Sequence, residues 1–554
     1  MRKLIPYIIL LIFTLPTYSF LFTPGYFNMH DDLQAMRILE MEKCFSDGQI
    51  PCRWAPDMAW GYGQAMFNFY SALPYYLGIL IRILTPLSIL ATVKLLFAIS
   101  LVASVLGMYL LAKEFWGKLG GFLSAVLYTY APYHALDIYV RGALAESFAL
   151  AILPFLWLLI YKIIKMPSFS NIVLGSISVA FLLMTHNIST MIYFPFTLSW
   201  VIFCLLKLKK LKNIFYLGLS GFLGLGLASF FLIPALFERS LIQSYYLTSD
   251  YSDFRAHFVS LHQLFFSRFW DDGPSVFGTN DEMSFQVGWP HWWLIFLLLP
   301  LALLWLRKKD RRLDAILTFM FLGLFLFSTF LTHSRSIFFW LNVPMIEFVQ
   351  FPWRFLGLSI FFLSFAGGAL GKIYRLVSIP LVGITTILAI ILNVKYFVPL
   401  VYSFKVTDEE KLSGEAYKLQ QKAAILDYLP KTAKIAPTSK AFDKPIIIKG
   451  SGNIENFQVS SNRFSFDANI YEESKVEIPV MYFPNWILII DDKLIKPDIH
   501  GDYGLISTTL RKGSYLVRGR FINTPIRTLA NTISVITFLG LITSLLIYAA
   551  RNEE

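Results

Sequence analysis

The stretch FNMHDDLQAMRILEMEKCFSDGQIPCRWAPDMAWGYGQAMFNFYSALPYY, Phe27 to Tyr76, decides how this chain is read. It follows directly on the first hydrophobic segment and is the most polar part of the chain's first quarter. His30, Asp31 and Asp32 fall within a few residues of a membrane surface. A helix-like run follows, with Ala35, Ile38 and Leu39 on one face and Arg37 and Glu40 on another. Trp54, Pro56, the Gly61-Tyr62-Gly63 turn and an aromatic-rich segment with Pro74 complete the loop. It reads as one wall of an active site at the outer membrane surface.

The composition around it sets the class. Of 554 residues, 56% are hydrophobic, 17% aromatic and only 15% charged, with a mean hydropathy of +0.58. A soluble globular chain is far less apolar, so the class is a polytopic membrane protein. The net charge of +12 is not a nucleic-acid signature, because the basic residues gather in short loops between apolar runs. Lys207-Leu-Lys-Lys-Leu-Lys212 and Arg307-Lys-Lys-Asp-Arg-Arg312 are two of them, and such clusters mark cytoplasmic loops. Three cysteines make neither a disulfide framework nor a metal site. Cys204 lies in an apolar run; Cys44 and Cys52 flank one bend of the first loop and could pair if it faces an oxidising compartment.

Runs long enough to cross about 30 Å of hydrocarbon fall near 4–22, 89–111, 119–135, 146–164, 170–187 and 189–206. Six more fall near 212–236, 291–306, 312–331, 354–371, 376–394 and 526–549. The first begins on basic residues but lacks a small-residue cleavage site, so it is expected to stay as a span rather than leave as a signal peptide. Phe67–Leu84 is expected to be interfacial, because counting it as a span would put Lys113 and Lys118 outside and reverse every later loop. The same reasoning makes Ser336–Gln350 re-entrant or interfacial. Both termini are then cytoplasmic, and all eight histidines lie at or beyond the outer face. Three parts are expected: a transmembrane domain over 1–394 with outer loops 23–88 and 237–290, an extracytoplasmic domain over 395–525, and a last helix with a short tail over 526–554. In the second part, a helical start at Glu409–Leu429 precedes strands at Ser474–Val480, Trp486–Ile490, Leu505–Leu510 and Ser514–Phe521, which suggests a small β-sandwich.

Several constellations could carry chemistry. Asp31-Asp32 could act as general base toward an acceptor hydroxyl or hold a metal against a phosphate; alternatively Asp31 caps a helix, with Gln34 completing a capping box. Asp137-Ile-Tyr-Val-Arg141-Gly-Ala-Leu-Ala-Glu146 puts an acid at the start of an apolar span, where an ionisable group suggests function. Arg141 and Glu146 could equally be a local ion pair. His186, in Thr185-His186-Asn187, sits at the outer end of one span and suits a structural role or a place facing Asp31. Arg354, in Gln350-Phe-Pro-Trp-Arg354-Phe, stands just before a span on the outer side, where it either holds an anion or snorkels beside Trp353. Two or three acids facing a single arginine would leave surplus negative charge, raising a carboxylate toward a useful base or inviting a cation. The sequence has no phosphate-cradling glycine loop, zinc-protease motif or nucleophile elbow.

These features together resemble the GT-C superfamily of integral-membrane glycosyltransferases, which use polyprenyl-phosphate-linked sugars. HDDLQ, YVRGALAES, THNIS, QFPWRF and YFPNWILIIDDK look closest to a bacterial membrane family labelled "6-pyruvoyl-tetrahydropterin synthase-related", and are similar to YfhO-type membrane proteins. The label is not an activity, since no histidine triad here matches the soluble zinc enzyme it borrows from. The resemblance implies a GT-C-like fold of about twelve spans and inverting sugar transfer at the outer face. Asp31, Asp32 and Glu146 would be its catalytic residues, and His30, Asp137, Arg141, His186, Asn187 and Arg354 would line the substrate. The second outer loop departs from the glycine-aspartate form common elsewhere in the superfamily. The partners implied are a polyprenyl-phosphate-linked sugar, membrane lipid, and a glycan, lipid or protein acceptor, with no nucleic acid. A divalent metal is left open as cofactor. The competing expectation is a non-catalytic membrane protein for lipid-linked sugar transport or envelope assembly; transport predicts paired pseudo-repeats, and none is visible.

Overall fold

The computed structural model describes residues 4–278 and 282–553. It divides into two compact units. The first is built from Met1–Asp32, Leu90–Gly224 and Thr248–Val406, the second from Leu33–Ile89, Leu225–Leu247 and Thr407–Glu554.

Helices dominate the first unit. Among the described residues of the whole chain, nine helices are long and apolar enough to cross a membrane by length and composition. The expected twelve segments are therefore not twelve such helices. Those near 89–111 and 119–135 fall largely in one element, Ile89–Thr129, broken at Gly117 where φ is 73°. Those near 4–22 and 170–187 give the shorter apolar helices Ile5–Thr17 and Phe169–Thr185. Neither segment set aside as interfacial holds one of these nine helices. Leu73–Leu84 has 12 residues, about 18 Å of helix against about 30 Å of hydrocarbon, and Ile337–Asn342 has 6.

One helix is buried on every side. Leu356–Gly367 exposes no residue, as expected of an all-apolar helix at the centre of a bundle. Phe365 stacks on Phe321 of Arg312–Thr332 with ring centroids 4.0 Å apart. Trp157 and Trp200, from Leu144–Lys165 and Asn187–Leu208, stack at 5.0 Å. A Cβ on Gly120 would collide with the carbonyl oxygen of Gly368, so backbone meets backbone there, a common device of membrane helix packing.

The second unit carries a two-sheet β domain. One sheet runs in the order Ile446–Lys449, Ser474–Met481, Leu505–Leu510, Asp498–His500. The other runs Gly452–Ser460, Arg463–Ile470, Gly513–Phe521, Trp486–Ile490, Lys493–Ile495. All neighbours are antiparallel, and inward residues of both sheets share one core. The expected helical start is broken into Asp408–Lys411 and Gly414–Lys422. The core also takes in Trp54, Tyr62 and Phe69 of the opening loop. Trp54 lies 5.5 Å from Trp486 and 5.3 Å from Phe521 by ring centroid. Cys44 and Cys52 form a disulfide that closes the bend before Trp54.

Helix Gln34–Ser46 is less two-faced than its sequence suggests. Ala35 and Ile38 are buried, but so are Arg37 and Glu40. Glu40 is fully buried; its Oε2 accepts the Asp57 backbone N–H at 3.0 Å, and Lys43 Nζ stands 4.0 Å from its Oε1. Burial pushes this carboxyl up from 4.5 to about 7, with Lys43 offsetting part of the rise. Because the folded value lies above the ordinary one, Glu40's contribution is fully present below pH 4.5 and is lost as pH rises through 7. The loss is about 3 kcal/mol at higher pH. The melting temperature of the intact protein is expected to fall between pH 5 and 8, and Glu40→Gln is expected to flatten that slope; an unchanged slope in the variant would assign it to another group.

Candidate functional site

The residues singled out in the two outer loops lie in the first unit, and backbone geometry draws most of them together. Strand Tyr26–Phe27 pairs with Tyr402–Ser403, fixing the chain just before the acidic pair. His30 N–H then donates to the Val140 carbonyl at 3.0 Å, and Asp31 N–H to the Arg141 carbonyl at 2.9 Å. The first loop is thus bonded edge-on to the second. Gly142 makes the approach possible: its φ is +65°, and a Cβ there would collide with the Met29 side chain. Asp31 and Asp32 are half-buried and His30 is exposed. His30 Nε2 donates to the Asp272 carbonyl at 2.5 Å. Asp31 is not a helix cap, because the following helix starts at Gln34 with Leu33 as its cap residue and no side-chain cap bond.

The second loop turns through a π-helical stretch, Leu136–Val140, a wide turn often found at functional sites. It sets Asp137 and Arg141 on one side, ahead of helix Leu144–Lys165 with Glu146 in its first turn. Arg141 Nη1 bonds both acids: Asp137 Oδ1, and Glu146 Oε2 at 2.9 Å. Tyr133 OH donates to the other Glu146 oxygen at 2.5 Å. Arg354 Nε lies 3.7 Å from Glu146 Oε2, while its Nη1 donates to the Val349 carbonyl at 2.7 Å and to Gln350 Oε1 at 3.0 Å. Arg141 sits over the Trp353 ring at 4.3 Å and Arg354 over Phe351 at 4.8 Å. The two rings stack 5.0 Å apart, so two guanidinium groups rest on one aromatic shelf.

The charges divide the acids into two kinds. Asp137 and Glu146 are buried and matched by Arg141 and Arg354, so the cluster holds two arginines where a single one was expected. Asp31 and Asp32 differ from that pair in being half-buried. Glu146 has both oxygens engaged. Asp137 Oδ2 has no hydrogen-bond partner among the described residues. Burial, with the Glu146 charge adding to it, holds the Asp137 carboxyl well above the usual carboxylate range.

His186 caps helix Asn187–Leu208, its Nδ1 accepting the Ser189 N–H at 3.3 Å. Its ring is also among the groups that bear electrostatically on Glu146. Asn187 is the exposed first residue of that helix. No sequence pattern singles out Tyr133, and Trp353 is marked there only as a neighbour of Arg354. Among the described residues no three His, Cys, Asp or Glu side chains converge as a metal site.

These features define a membrane protein of mainly helical build with a C-terminal β-sheet domain. Residues 67–279 match the family model described as "6-pyruvoyl-tetrahydropterin synthase related domain; membrane protein". A Lactococcus lactis subsp. cremoris (strain MG1363) protein described as "Uncharacterized protein" is 28% identical over 278 residues, 48% of this chain and 44% of its own length. The matched part is thus under half of that relative. Among solved structures, the mycobacterial arabinofuranosyltransferase AftD aligns with a TM-score of 0.44 and 14% identity, over 73% of this chain and 28% of its own. The Archaeoglobus fulgidus oligosaccharyltransferase in complex with zinc and sulfate aligns with a TM-score of 0.37 and 15% identity, over 72% and 54%.

Proposed function

We propose that this chain is a GT-C-type membrane glycosyltransferase. It moves a sugar from a polyprenyl-phosphate-linked donor to an envelope acceptor at the extracytoplasmic face of the plasma membrane, with both termini cytoplasmic. The observation that carries this reading is the backbone bond of Asp31 to Arg141, which joins the first outer loop to the segment where Arg141 and Arg354 both meet Glu146. In the proposed step, Asp31 or Asp32 takes the proton of an acceptor hydroxyl as its oxygen bonds to the anomeric carbon. The bond from that carbon to the phosphate oxygen breaks, and the polyprenyl phosphate leaves with the electron pair. Arg354 and Arg141 stabilise the leaving phosphate. Glu146, saturated by Tyr133 and Arg141, orients the arginines rather than taking the proton. The direct test offers purified protein a panel of radiolabelled polyprenyl-phosphate sugars with membrane acceptors. Binding without transfer from any donor would favour the transport or assembly reading.

Arg354→Ala is expected to weaken donor binding about 10- to 100-fold, the worth of one or two hydrogen bonds to a charged group. Turnover at saturating donor should change less, because the proposed contact is with phosphate in both ground and transition states. Donor titrations read this directly. A fall in turnover alone, with unchanged donor affinity, would remove Arg354 from the phosphate.

A further inference from the structure

The second unit contains a buried cation that the proposed reaction does not use. Arg53, in the opening loop, is 3% exposed. Its Nη1 donates to Asn68 Oδ1 at 2.9 Å, and its Nη2 to the Phe230 carbonyl at 3.0 Å and to Asn531 Oδ1 at 2.8 Å. Its Nε has no hydrogen-bond partner among the described residues. All three acceptors are neutral. The nearby carboxylate, Glu238, is already taken by Arg527 Nε at 2.8 Å, Asn68 Nδ2 at 2.8 Å and Thr524 Oγ1 at 2.6 Å. Arg527 is itself fully buried and its charge bears on Arg53. Two guanidinium groups therefore share one acid, at the positive end of the long helix Pro525–Glu553. A buried charge without a counter-charge is costly.

The position suggests where the counter-charge comes from. Phe230 stands two turns before the end of helix Ile214–Phe237, about 10 Å along its axis, and Asn531 is in the second turn of Pro525–Glu553. Both helices belong to candidate membrane spans and are bonded to each other through Ser534 Oγ, which donates to the Gly226 carbonyl at 2.9 Å. Leu236, Phe237 and Leu529 nearby are exposed apolar side chains, a surface suited to lipid. Asn531 is only half-buried.

We propose that Arg53, with Asn531 at its mouth and Arg527 behind it, is a binding site for the phosphate of an anionic lipid headgroup. A phosphate oxygen takes the place of the Asn531 amide oxygen on Arg53 Nη2 and supplies the missing negative charge. This site does not rest on the transferase reading. Native mass spectrometry of the full chain in detergent, titrated with phosphatidylglycerol, phosphatidylcholine and inorganic phosphate, tests it. Phosphatidylglycerol is expected to be retained about tenfold more tightly than phosphatidylcholine. Arg53→Gln should abolish the preference and Arg53→Lys keep part of it. Asn531→Asp places a carboxylate where the phosphate oxygen would sit, so it should abolish the preference without lowering the melting temperature. Competition by inorganic phosphate would support the site and assign it to phosphate itself, and resistance to it would support a lipid-borne source. No preference in the unaltered protein, or a preference that survives Asn531→Asp, would overturn the proposal.

Discussion

Asp31→Asn and Asp32→Asn are expected to separate, one of them cutting sugar transfer at least about a hundredfold while the melting temperature stays unchanged. The expectation rests on adjacency: neighbouring side chains leave a backbone in different directions, so one of the two is expected to face the acceptor. Both are half-buried, so an isosteric amide in place of either is expected to cost little stability. The asparagine retains shape and hydrogen bonding but cannot accept the proton. Transfer rates at saturating donor and acceptor, with thermal unfolding of each variant, check the expectation. Near-normal transfer in both variants would remove this pair from the chemistry.

Glu146→Ala is expected to act on stability first, by about 3–5 kcal/mol, because it leaves Arg141 with Asp137 as its acid and Arg354 with the Val349 carbonyl and Gln350 as acceptors. Thermal unfolding in detergent should show a large drop, whereas Glu146→Gln, whose single amide oxygen can replace one of the two carboxylate oxygens that accept from Tyr133 and Arg141, should lie between. If Glu146→Gln keeps full stability and loses all transfer, Glu146 is the base and the acidic pair is not.

What could be read in the sequence divides along physical lines. Strands Trp486–Ile490 and Leu505–Leu510 have the expected bounds, since β-branched and aromatic residues crowd there between turn residues. Gly452–Ser460 was missed because a single residue of it, Ile454, is buried, so its solvent face reads as loop. The Arg141–Glu146 pair was legible from spacing, but Tyr133 was not, being one of 28 tyrosines in an aromatic-rich chain. Glu40 falls on the polar face of its helix by spacing, and charges on such a face usually meet solvent; Arg53 carries no sequence signal at all, since two of its partners, Phe230 and Asn531, lie far away in the chain.

The packing of Trp54 against Trp486 and Phe521 sets a timetable for synthesis. More than four hundred residues separate these rings, and at roughly 5–20 residues per second they emerge from the ribosome about twenty seconds to a minute and a half apart. For that interval the bend closed by Cys44 and Cys52 can oxidise, while Trp54, Tyr62 and Phe69 still lack the sheets that will cover them. The loop is thus translated early and completed late, its apolar face waiting while most of the helices are inserted. A chain truncated before residue 486 leaves that face permanently open, and such products are natural clients for chaperones and quality-control proteases.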